Sequence, residues 1–194
     1  MSMTIAAMKG KLGDTDYFIF AMKAKQLAAL TIVSGENERR KINYARVKAE
    51  IAPYLAKDKE RFFGAVIMTA KNYKPDMFEP LSDFTAKTLP KLYREEAKSI
   101  GFLTFTGGEV FIPIDGQHRI SAIRFALNGK DEKREPIPNM PPCPDLADEE
   151  ITVILVPYNA EKTRKISDTV NCYAKPLRVA KHLREQDELS AKVD

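Results

Sequence analysis

The stretch VFIPIDGQHRISAIRFAL, Val110 to Leu127, decides the fold class. Val110, Ile112 and Ile114 alternate with Phe111 and Pro113, and this β-branched and aromatic run predicts a strand buried on both faces. It ends in a compact polar knot, Asp115-Gly116-Gln117-His118-Arg119, and an amphipathic helix begins at once. Ile120, Ile123 and Leu127 share one helical face, with Ala122 and Ala126 beside it. A strand that turns through a glycine into a helix leaves free backbone N–H groups at the turn, where the positive end of the helix dipole also lies. His118 and Arg119 fall in the first helical turn, where cationic side chains oppose that dipole. Cations in that position make sense if an anion is held there.

Upstream of the knot, Phe102–Phe105 and Glu109–Ile112 flank Gly107-Gly108, and the two glycines predict a β-hairpin turn. Tyr17–Met22 (YFIFAM), Phe62–Ala70 (FFGAVIMTA) and Ile151–Val156 (ITVILV) read as further strands. A helix is expected over about Asn43–Lys57, with Val47, Ile51, Tyr54 and Leu55 at helical spacing and Pro53 kinking or shortening it. A short helix is expected around Lys91–Lys98, after a loop-like 72–80. Asn128-Gly129 stops the helix that follows the knot. Five prolines within 136–144 then require an extended surface loop. Asn159 caps a last helix running toward Tyr173. Strands and helices mixed along the chain in this way imply an α/β (α+β) fold, with residues 1–180 as one domain. The tail 181–194 is charged and helical in propensity, and reads as the start of a C-terminal region cut short.

The 194 residues carry a net charge of +4 and 44% apolar residues, which suits a mildly basic globular domain. No run of 18 apolar residues suggests a membrane span, and no signal peptide is evident, so a cytoplasmic home is expected. Cys143 and Cys172 fit neither a disulfide framework nor a zinc spacing, and read as incidental.

At the knot two readings stand side by side. Arg119 either closes an ion pair with Asp115, four residues earlier, or grips phosphate through its guanidinium fork and the backbone N–H groups. His118 is a neutral hydrogen-bonding residue, a phosphate ligand or a general acid/base. Asp115 is a candidate for a ribose hydroxyl or a magnesium ion, and with His118 is the candidate catalytic pair if a reaction occurs. The other histidine, His182, lies in the charged tail, so no zinc or histidine-metal site is expected. Arg39, Arg40, Lys41, Arg46 and Lys48 form a basic cluster against only Glu38 and Glu50. It is either a solvated face or a surface that grips DNA phosphates without reading sequence. Tyr44 within it belongs to the core or stacks on a base.

Ile114-Asp115-Gly116-Gln117-His118-Arg119 with Ala122 resembles the signature of the DGQHR-domain family, which includes the DndB-like proteins of DNA phosphorothioate (sulfur) modification systems. Val170-Asn171 and Ala174-Lys175-Pro176 resemble a downstream Asn…Ala-Lys element of the same family, whose members are usually longer than this chain. The resemblance is specific over residues 100–180. It extends distantly to the ParB and sulfiredoxin group, whose small mixed sheet surrounded by helices holds a nucleotide or phosphate at a Gly-x-x-Arg turn. Gly116 and Arg119 match that turn. Gln117 stands where sulfiredoxins carry their reactive cysteine, and His118 where many ParB-like proteins carry an arginine.

The resemblance implies a ParB/sulfiredoxin-like fold and a phosphate or nucleotide site built from Asp115, Gly116, Gln117, His118, Arg119, Asn171 and Lys175. It implies a DNA-binding transcriptional regulator of a phosphorothioate modification system, with duplex DNA, other modification proteins and a second copy of the chain as partners. The alternative is an enzyme, a nucleotide-binding NTPase or ParB-like nuclease, taking ATP or CTP with magnesium at the knot. A third reading is a subunit that recruits modification enzymes through the proline loop or the basic helix.

Overall fold

The structure, a computed structural model, describes residues 2–32, 42–85 and 88–173, with side chains described as far as residue 170. Among these residues seven strands form one mixed sheet in the order β4-β5-β1-β2-β7-β3-β6. The strands are β1 (Met3–Leu12), β2 (Thr15–Lys23), β3 (Val66–Lys71), β4 (Phe78–Pro80), β5 (Ile100–Phe105), β6 (Val110–Asp115) and β7 (Glu150–Pro157). Only β3 and β7 run parallel; every other pairing is antiparallel. The mixed α/β architecture expected from the sequence is present.

The hairpin expected across Gly107-Gly108 is not. β5 pairs with β1 and β4, whereas β6 pairs with β3 at the other end of the strand order. A flat sheet would separate β5 and β6 by five strand spacings, ~24 Å. The chain from Phe105 to Val110 reaches at most ~18 Å. The sheet therefore curls until its ends approach, and the rings of Phe105 and Phe111 meet edge to face at 5.0 Å. The glycines serve this crossing rather than a two-strand turn. Glu109 accepts the N–H groups of Thr106 and Gly107, each at 2.9 Å, and Asn72 Nδ2 donates to the Gly108 carbonyl at 2.9 Å.

The helices are α1 (Ala24–Leu30), α2 (Tyr44–Arg46), α3 (Ala52–Lys57), α4 (Leu81–Thr85), α5 (Gln117–Asn128) and α6 (Ala160–Tyr173). A π-helical segment, Val47–Ile51, joins α2 to α3. Pro53 has no N–H for the helix ladder, and the wider turn before it lets the chain continue helically to Lys57 instead of ending. Asn159 caps α6 as expected, accepting the Lys162 N–H at 3.0 Å. The short helix expected near Lys91–Lys98 resolves into two single 3-10 turns, Lys91–Tyr93 and Glu96–Lys98.

Helix α5 is the centre of the helical layer. It packs against α1, α3 and the π segment, and Ile120, Ser121, Ala122, Ile123, Phe125 and Ala126 are all buried. Its enclosure is wider than one amphipathic face, and Leu127 is only half-buried. Arg124 reinforces the arrangement, donating Nε to the Ala28 carbonyl at 2.9 Å and Nη2 to the Thr31 carbonyl. Both acceptors belong to the end of α1, where helix carbonyls lack intrahelical partners.

Candidate functional site

The knot lies where the edge strand β6 hands the chain to α5. Pro113 lacks an N–H and is tolerated at an edge, and the ladder with β3 shifts register between Ile67 and Met68 opposite it. Gly116 turns the chain at φ 97°, a left-handed conformation that side chains rarely adopt. A Cβ at that position would also lie 3.1 Å from a Val66 methyl. The first α5 bond runs from the Ile120 N–H to the Gly116 carbonyl at 2.9 Å. No side chain caps this helix, since its N-cap is a glycine.

Arg119 is held on three sides. Its Nη2 donates to Asp115 Oδ2 at 2.7 Å, and its Nη1 donates to the carbonyls of Gly64 and, at 2.9 Å, Ala65. The two side chains of the ion pair are 21% and 25% exposed, so the pair is largely shielded from water. The guanidinium thus ties the approach to β3 to the start of α5, and the ion-pair reading of Arg119 is the geometry observed. Gln117 Nε2 donates to the Pro113 carbonyl at 3.3 Å. His118 Nε2 accepts the Asn43 backbone N–H at 3.0 Å. Asn43 in turn caps α2, its Oδ1 accepting the Arg46 N–H at 3.0 Å.

Asp115 is a poor magnesium ligand in this setting. Its carboxylate is engaged by Arg119, and among the described residues no group of three or more His, Cys, Asp or Glu side chains is gathered anywhere to hold a metal ion. The residues at the knot do not fit a divalent cation.

The basic cluster is divided. Arg46 pairs with Glu50 at 3.1 Å, and Lys48 reaches Asp131 at 3.1 Å and Glu132 at 3.4 Å. Arg39, Arg40 and Lys41 lie outside the described residues, as do Lys175 and His182. Asn171 falls within α6, which lies against β6. Tyr44 stacks on Phe125, ring centroids 6.0 Å apart, at the border of the core.

The sequence reading missed three partners of the knot: the carbonyls of Gly64 and Ala65, and the Asn43 N–H. The first two fall within the strand expected over Phe62–Ala70, which in fact begins at Val66. The third, a backbone N–H, has no side-chain signature.

A family model described as DndB, DNA-sulfur modification-associated, matches residues 5–185. The chain belongs to the DndB family. Its family is associated with DNA sulfur modification systems, and the knot, α5 and all of the sheet but the first two residues of β1 fall inside the matched span. No curated protein and no solved structure matches this DndB-family chain. Among its described residues no helix is long and apolar enough to cross a membrane.

Proposed function

We propose that this DndB-family chain is a DNA-binding regulator of a DNA phosphorothioate modification system, contacting duplex phosphates with the basic run Arg39-Arg40-Lys41 and with the first turn of α5. The observation that carries the reading is the bond from the Asn43 N–H to His118 Nε2. It anchors the chain just after the basic run to a helix start whose N–H groups have no side-chain cap. Both features suit phosphate oxygens and neither reads bases. Arg46 and Lys48, already paired with carboxylates, contribute less.

Fluorescence anisotropy with a labelled duplex across a salt series tests the reading. Wild type should bind tightly at low salt, with log affinity falling by about 0.9 per phosphate contact for each decade of salt. Replacing Arg39, Arg40 and Lys41 with alanine should make that slope shallower by about 2 to 3. A wild-type protein that fails to bind duplex even at low salt sinks the proposal.

The second reading, nucleotide binding at the knot in the manner of the ParB and sulfiredoxin group, is favoured by the uncapped first turn of α5. Against it, Arg119 already has three acceptors. It requires a thermal shift with ATP, CTP or GTP that His118→Ala removes.

A further inference from the structure

Helix α5 carries a second polar surface, one to three turns beyond the knot. Ser121, Arg124, Phe125 and Asn128 recur at helical spacing and, with Tyr44 and the turn 130–134, enclose a cavity of about 570 Å3. Small-molecule sites span roughly 300–1,000 Å3. One wall is aromatic, formed by the stacked rings of Tyr44 and Phe125.

The charges around the cavity are unequally engaged. The two acids are taken up: Asp131 accepts the N–H groups of Lys133 and Glu135 at 2.9 and 3.0 Å and the Lys48 ammonium at 3.1 Å, and Glu132 accepts Lys48 at 3.4 Å. Burial pushes the Asp131 carboxyl up, but those donors outweigh it and hold it below the usual carboxylate range. Lys130 and Arg134, exposed at the mouth, make no ion pair among the described residues. Arg124 donates through Nε and Nη2, which leaves its Nη1 without an acceptor among the described residues. Ser121 is 3% exposed and lines the cavity, and its hydroxyl makes no side-chain hydrogen bond among the described residues. Asn128 donates Nδ2 to the Arg124 carbonyl at 2.9 Å, which keeps its Oδ1 as an acceptor.

A hydroxyl opening on the cavity and available cations next to an aromatic wall suit a ligand that joins a flat ring to an anionic group. We propose that this cavity binds a nucleotide, its phosphate held by Lys130 and Arg134 at the mouth and its ring against Tyr44 and Phe125. The site is separate from the knot and uses neither Arg119 nor the first turn of α5. It therefore goes beyond the DNA-binding reading and does not depend on it.

Isothermal titration of the full chain with AMP, CMP and adenosine tests it. A monophosphate should bind at least about tenfold more tightly than adenosine, because the charge-assisted bonds need the phosphate. Lys130→Ala combined with Arg134→Ala should weaken that binding by about tenfold or more, while the unfolding curve stays in place. Ser121→Ala should weaken it severalfold, and His118→Ala should leave it within about twofold. Absence of monophosphate binding to wild type overturns the proposal. So does an affinity that His118→Ala removes and the mouth variant leaves alone, which would put the ligand at the knot. A mouth variant that lowers affinity for duplex DNA, in a protein blind to nucleotides, would mark the turn as a DNA contact instead.

Discussion

The first turn of α5 and the turn that follows its end carry similar side chains and treat them in opposite ways. At the start, Arg119 meets one carboxylate and two carbonyls, and His118 accepts a backbone N–H. Past the end, Lys130 and Arg134 face a cavity while the nearby acids are occupied by Lys48 and by backbone donors. The motif that attracts attention in the sequence is thus the better satisfied of the two regions. A cation signals binding by the capacity it has left, and residue type alone does not report that capacity.

The largest effect that sharpens this contrast is expected from Arg119→Ala. It would strand the half-buried Asp115 carboxylate and two carbonyls, and urea unfolding should show a loss of about 3 kcal/mol. Arg119→Lys should recover less than half of it, since one ammonium cannot reproduce the guanidinium fork. An unchanged unfolding midpoint would break the comparison, because Arg119 would then be free for a ligand. Gly116→Ala comes next, with a loss of about 1–3 kcal/mol from the left-handed backbone and the close Val66 methyl, read in the same way. The mouth variant Lys130→Ala with Arg134→Ala should stay within about 0.5 kcal/mol of wild type. A larger loss would show those cations to be structural too.

The smallest effect concerns a surface charge that is engaged in the open. Lys25 and Lys23 hold the Asp148 carboxyl at about 2, below its ordinary 3.8. A carboxyl lowered by folding favours the folded state above its ordinary pKa, and that contribution fades as pH falls from about 4 through about 2. Asp148→Asn should flatten this part of the pH–stability curve, most visibly at low salt. Superimposable curves would mean that the exposed trio contributes nothing.

Local pattern carried much of the fold. The strand, glycine turn and helix at 110–129 were legible because alternation, positive-φ glycines and helical spacing all act within a few residues. The same holds for Asn159 as a cap and for the strand at 151–156. The sheet order was not legible. Gly107-Gly108 has the composition of a hairpin, and only the pairing of β1 with β5, a contact about a hundred residues apart, takes β5 away from β6. β1 itself went unread because MTIAAMKGKL lacks a strong apolar alternation. Pro113 was the overlooked clue that β6 sits at an edge.

At the site, the residues of the motif were found and their engagement was not. Carbonyl acceptors such as those of Gly64 and Ala65 have no side-chain signature. The cavity was hidden for a related reason. Ser121, Arg124 and Asn128 look like ordinary helix positions until Tyr44 and the 130–134 turn are brought over them.

The short crossing from β5 to β6 has a consequence for how the protein comes together. Closing a loop of four residues costs little entropy, so Phe105 and Phe111 are neighbours along the chain long before the strands between them are assembled. β6, at one end of the strand order, and β5, next to the other end, are stitched together by that crossing. The middle strands come from distant parts of the chain, so lengthening the stitch should slow refolding, read as a lower folding rate, before it alters any contact of the finished site.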